Sequence, residues 1–167
     1  INPNIEAMKI FYSDNILSIT NGGLGVQIYR YNHTPDEGSN LLDSLSTFYV
    51  QGGEAESLYS KGNYVIGGFN NDRGCYMALL DSNGDIIDNL SFADGYSINA
   101  MDYDDGLLVL SAGNDGIIIY EWTETMNVRL KGMLDVGDDN YVYDLKVIGN
   151  NIFVGSENGI SIYKIRI

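Results

Sequence analysis

Residues 156–165 read SENGISIYKI, and the same phrase stands twice earlier, as GNDGIIIYEW at 113–122 and GGLGVQIYRY at 22–31. In each, a glycine precedes alternating aliphatic residues and a tyrosine. Aligned on Gly25, Gly116 and Gly159, the last two copies are 43 residues apart and the first two 91, about twice that period. A fourth copy is therefore expected midway. NNDRGCYMALLD at 70–81, with Gly74, fills the place as the most divergent of the four. A period of this length marks an array of similar structural units.

Each unit reads in the same order. An alternating segment comes first: EAMKIFYSD, AESLYSKG, INAMDYDDG and VYDLKVIGN. Leu58, Met101 and Leu145 fall in step with Met8, at spacings of 50, 43 and 44. A short apolar run follows (NILSIT, YVIGGF, LLVLSAG, NIFVGS), then the tyrosine phrase. Three units add a further segment: LSTFYV, DIIDNLSF and RLKGMLDV. Gly, Asn and Asp, which tolerate positive φ, fill the turns between. Short runs rich in Val, Ile, Tyr and Phe between such turns are strands. No stretch carries sustained helical periodicity with caps.

Four-stranded units at 40–50 residues read as blades of a β-propeller. The expected fold is all-β, with four antiparallel four-stranded blades at about 5–52, 53–94, 95–137 and 138–167, the last lacking its outer strand. A sandwich of short strands would not require the period. In a propeller the phrase is packing grammar. Its aliphatics alternate between two faces covered by neighbouring blades. Tyr29, Tyr120 and Tyr163 can bury their rings between blades and keep their hydroxyls wet.

YVYDLKVIGNNIFVGSENGISIYKI (141–165) resembles the LVIVD-type propeller repeat: an aromatic–Asp first strand, a Gly-Asn turn, an apolar strand, then Gly and an aliphatic strand. INAMDYDDGLLVLSAGNDGIIIYEW is similar but lacks the opening Tyr-Asp pair, and the second unit departs further. The resemblance implies a bacterial or archaeal propeller of extracytoplasmic, secreted or cell-surface type, and assigns no catalytic residue. Four blades fall short of the larger rings that such repeats suggest. The chain is thus expected to be the C-terminal portion of a longer propeller, its remaining blades upstream or on another chain. INPN, four residues with a proline, would make a poor closing strand. The opening INPNIEAMKI does not start with methionine and has no basic n-region or apolar h-region, so it does not read as a signal peptide.

The balance of 23 acidic to 9 basic residues, net −14, argues against nucleic acid and anionic membrane surfaces, which need clustered Lys and Arg. No apolar run approaches a membrane span. Cys75, the one cysteine, lies in the apolar run CYMALL and reads as a buried structural thiol. DSNGD at 81–85 begins like a calcium loop, but Phe92 rather than Glu fills the twelfth position. It reads as a hairpin turn. His33, the only histidine, lies in a polar loop and cannot build a zinc site or a catalytic triad with one cysteine. The Gly-rich stretches precede strands, not helices, so no helix N-terminus follows to hold a phosphate.

The remaining candidate constellation comes from the alignment. Two residues before Met8, Leu58, Met101 and Leu145 stand Glu6, Glu56, Asn99 and Tyr143, which should ring one mouth of the central channel. Glu54, Tyr96 and Tyr141 belong to the loops leading in. Carboxylates, an amide and aromatics suit recognition of a protein, peptide, glycan or cation, with no cofactor required. The same residues also read as solvated positions at strand starts. The first functional expectation is a non-catalytic binding or scaffold module of a cell-surface or secreted assembly. The alternative is part of a hydrolase or lyase using carboxylates or a calcium ion at the channel mouth.

Overall fold

The computed structural model describes residues 7–34, 38, 40–137 and 140–165. Blade 1 holds β1 (Ile10–Ser13), β2 (Ile16–Thr20), β3 (Val26–Tyr31) and β4 (Leu42–Phe48). Blade 2 holds β5 (Ala55–Lys61), β6 (Tyr64–Phe69), β7 (Cys75–Leu80) and β8 (Ile86–Phe92). Blade 3 holds β9 (Ala100–Asp104), β10 (Leu107–Ser111), β11 (Ile117–Trp122) and β12 (Val128–Leu134). Blade 4 holds β13 (Val142–Ile148), β14 (Asn151–Ser156) and β15 (Gly159–Lys164). Each blade is an antiparallel meander, of four strands in blades 1–3 and three in blade 4. A 3-10 turn, Gly113–Asp115, precedes β11.

Three apolar layers hold the blades together. Val26, Ile28 and Phe48 of blade 1 meet Ala55, Leu58 and Val65 of blade 2. Cys75 and Met77 of blade 2 meet Met101, Leu108 and Trp122 of blade 3. Leu107, Val109 and Ile117 of blade 3 meet Val142, Leu145 and Val154 of blade 4. Each inner strand packs on the next, β1 on β5, β5 on β9 and β9 on β13, whereas β13 and β1 make no comparable contact among the described residues. An aromatic file follows this course: Phe11 lies 4.8 Å from Tyr59, and Tyr59 lies 5.7 Å from Tyr103, centroid to centroid. Tyr120, from the tyrosine phrase, is buried against Phe92.

The hairpin register corrects one alignment. Ser13 pairs Ile16 beside the first turn, as Lys61 pairs Tyr64, Asp104 pairs Leu107 and Ile148 pairs Asn151. Counting back from those pairs, the counterpart of Leu58, Met101 and Leu145 is Ile10, not Met8. A slip of two residues keeps every side chain on its face, so alternation alone could not expose it.

The glycine of the phrase has a steric cause. At Gly116, φ is +83°, and a Cβ would run into the Leu134 carbonyl at the end of the outermost strand. Gly25 and Gly74 stand against Phe48 and Phe92 in the same way. Gly159 also has positive φ but no neighbour within 4 Å, because no fourth strand pairs with β15 among the described residues.

Candidate functional site

Antiparallel meanders put the turns between second and third strands, and the links between blades, on one face of the molecule. The first-hairpin turns lie on the other. All the candidate residues within the described range belong to the first of these faces; Glu6 lies outside that range. By the hairpin register, the blade 1 position matching Glu56, Asn99 and Tyr143 is Met8, which is exposed.

Two of the candidates share a backbone device. The pairing of β5 with β6 jumps from Ala55–Phe69 to Ser57–Gly68, and that of β13 with β14 from Val142–Ser156 to Asp144–Gly155. Glu56 and Tyr143 are thus the extra residues of two equivalent β-bulges. A bulge leaves its residue outside the ladder and re-aims the side chain, a recurrent device beside binding sites.

Asn70, in the turn after β6, ties the two glutamates together. Its amide donates to Glu56 Oε1 at 2.9 Å and to Glu54 Oε2 at 3.4 Å, while its Oδ1 accepts the Glu54 backbone N–H at 2.9 Å. In blade 3, Asn99 Nδ2 donates to the Val142 carbonyl at 2.7 Å and to the Tyr143 carbonyl at 3.2 Å. Tyr143 donates its hydroxyl to Glu157 at 3.2 Å. Its ring lies 5.1 Å from that of Tyr141. Burial raises the Tyr141 phenol pKa, and the Glu56 charge adds to the rise, so a blade 2 carboxylate acts on a blade 4 ring. Tyr141 also closes over Gly113, where a Cβ would come within 2.7 Å of its ring.

Tyr96 does not join them. Its hydroxyl points at Met133 Sδ, 3.5 Å away on β12, the outermost strand of blade 3. Asn70 and Glu157 escaped the sequence reading because they sit in turns, outside the strand-start register that guided it. The candidate site is therefore Glu54, Glu56, Asn70, Asn99, Tyr141, Tyr143 and Glu157. Beside it, a groove of about 420 Å³ runs between Tyr49, Gly52, Glu54 and Asn71.

A serine hydroxyl fastens the base of the site from blade to blade. Ser57 Oγ donates to the Ile98 carbonyl at 2.8 Å, and Ser111 Oγ to the equivalent Val142 carbonyl at 2.9 Å. Ser57 lies on the first strand opposite Gly68, whereas Ser111 lies on the second opposite Ala100. A side chain on Gly68 would coincide with Ser57 Oγ.

The opposite face has a larger groove, about 630 Å³, lined by Asp14, Arg30, His33 and Asp81 among others. There His33 Nε2 lies 2.8 Å from Asn15 Oδ1 and 3.0 Å from the Tyr12 hydroxyl. Asp81 is the cap of a hairpin turn, accepting the backbone N–H groups of Asn83 at 2.8 Å and Asp85 at 2.9 Å. Among the described residues, no three His, Cys, Asp or Glu side chains are grouped to hold a metal, and no helix is long and apolar enough to cross a membrane.

Solved structures share this arrangement. The computationally designed Ika4 protein superposes with a TM-score of 0.68 at 18% identity, over 97% of this chain and 92% of its own. The WD40 β-propeller domain of Doa1 gives 0.69 at 12% identity, over 96% of this chain and 52% of its own. The chain is a β-propeller in fold. The computationally designed Ika8 protein matches at 0.56 and 12% identity, over 96% of this chain and 58% of its own. The propeller chain thus spans little more than half the length of the Ika8 and Doa1 chains. No family model and no curated protein matches it, so the resemblance to the LVIVD-type repeat rests on the quoted motifs.

Proposed function

We propose that this propeller is a non-catalytic binding scaffold whose bulged face recognises a protein or peptide ligand through a cationic side chain. The observation that carries the reading is the pair of equivalent bulges at Glu56 and Tyr143. They turn a carboxylate and an aromatic ring out of the ladder onto one face. The Glu56 charge reaches Tyr141, whose ring packs against Tyr143. Carboxylates beside two packed phenol rings suit an Arg or Lys, by ion pairing and by cation–π attraction. The net charge of −14 adds long-range attraction for a basic partner. A cell-surface or secreted assembly, as the LVIVD resemblance implies, is the setting we propose.

Binding assays with basic peptides, acidic peptides and a glycan panel test the reading. Basic peptides should bind, with an affinity that falls as salt rises. Glu56→Gln with Tyr143→Ala should weaken binding and leave thermal unfolding little changed. Binding of glycans alone, or no change in the double variant, would overturn it.

A further inference from the structure

The equivalent positions of the four blades reveal two unfinished interfaces. On the face that each blade turns to the preceding one, Leu58, Met101 and Leu145 are 6%, 9% and 6% exposed, but Ile10 of blade 1 is 66% exposed. On the face that each blade turns to the following one, Val26, Cys75 and Ile117 are fully buried, but Ile160 of blade 4 is 84% exposed. The register makes both comparisons like for like: Val26 pairs Thr20, Cys75 pairs Gly68, Ile117 pairs Ser111 and Ile160 pairs Gly155. Among the described residues, no blade covers the leading face of blade 1 or the trailing face of blade 4. Each bears an apolar groove. One, of about 400 Å³, lies among Tyr12, Leu17, Tyr31 and Leu42; the other, of about 320 Å³, lies among Lys146, Phe153, Gly155 and Ile160. Exposed apolar surface of this kind marks an interaction site.

We infer that the occupant of both faces is a second copy of this chain, joined head to tail. A second copy supplies a trailing face for blade 1 and a leading face for blade 4 at once, through the interface already used three times within the chain. Such a contact is heterologous, and it closes when the rotations complete a turn. Two copies would supply eight blades, and each copy spans 52% of the Doa1 chain and 58% of the Ika8 chain.

The mass of the full 167-residue chain in solution, by light scattering at micromolar concentration and physiological salt, is the first test. A species of twice 18.4 kDa is expected. Ile10→Asp and Ile160→Asp, both at exposed positions, should each weaken association by about thirtyfold or more, the loss at an interface hot spot. Circular dichroism should show both variants folded. Mixing the two should restore association, because the first keeps an intact Ile160 face and the second an intact Ile10 face. A monomeric wild type, as expected if blades elsewhere in one polypeptide complete the ring, overturns the inference. So does an I160D variant that still dimerises, which would mean a like-to-like contact. Oligomers that grow with concentration would exclude closure by two copies.

Discussion

Asp102 of blade 3 takes two hydrogen bonds from blade 4: its Oδ1 accepts from Lys146 Nζ at 2.8 Å, and its Oδ2 from the Val147 backbone N–H at 2.7 Å. The carboxylate side chain is 7% exposed and the lysine side chain 65%. The two bonds therefore differ in worth, although they differ little in length.

Removing the carboxylate leaves the Val147 N–H buried without a partner, which costs about 1–3 kcal/mol. Removing the lysine loses an ion pair largely screened by water, with an effect below about 1 kcal/mol. Urea denaturation should accordingly find Asp102→Ala clearly destabilised and Lys146→Ala near wild type. Equal losses would mean that the ion pair, rather than the backbone bond, joins these blades.

Gly116 and Gly159 occupy the same place in their repeats and both have positive φ, yet only Gly116 faces a carbonyl. Gly159→Ala should cost about 1–2 kcal/mol of backbone strain. Gly116→Ala should add a clash worth about 1–3 kcal/mol more. Thermal melts of the two variants make the comparison, and the larger drop in Tm belongs to Gly116→Ala.

The turn at Asp81 predicts a pH dependence. Backbone N–H donors, that of Asp85 foremost, hold its pKa below the ordinary 3.8. A carboxylate depressed by folding stabilises the native state above its unfolded pKa, and that contribution is lost as pH falls through the folded value. The stability gap between wild type and Asp81→Ala should thus be full at neutral pH and narrow below 3.8. Denaturation midpoints over an acid series test this; a gap that widens in acid would contradict it.

Cys75 is fully buried, and burial, with the Asp94 charge as a smaller cause, pushes its thiol pKa well up. Since the thiolate is the reactive form, iodoacetamide should leave the native chain unmodified at mildly alkaline pH and label it in denaturant. Mass spectrometry distinguishes the two. Rapid native labelling would show that blades 2 and 3 separate readily.

The blade count, the strand order and the burial of the tyrosine phrase in blades 1–3 were legible because a repeat writes the same alternation four times, whereas in blade 4 the phrase is exposed at Ile160 and Ile162. Ile10 was not found, because Met8 two residues away lies on the same face, and only the turn at Asp14 and Asn15 sets the depth of the strand. The bulges were hidden as well. An extra residue in one strand is defined by its partner strand, and no pattern within Ala55-Glu56-Ser57 announces it. Asn70 carried no signal, since a turn asparagine normally serves its own backbone, and this one reaches two glutamates. Tyr96 was grouped with the others because it stands in a link between blades, and composition does not tell that its side chain reaches the outermost strand at Met133.

The migrating serine hydroxyl bears on how these repeats can be exchanged. In blade 2 the hydroxyl comes with the first strand and the space for it with the second; in blade 3 the assignment is reversed. A crossover between the two strands would therefore be ill matched either way. β5 followed by β10 would bring two serines to one place, and β9 followed by β6 would bring an alanine and a glycine. The smallest portable unit of this propeller is the intact first hairpin, so shuffling that respects its fold must cut in the links between blades or after the second strand.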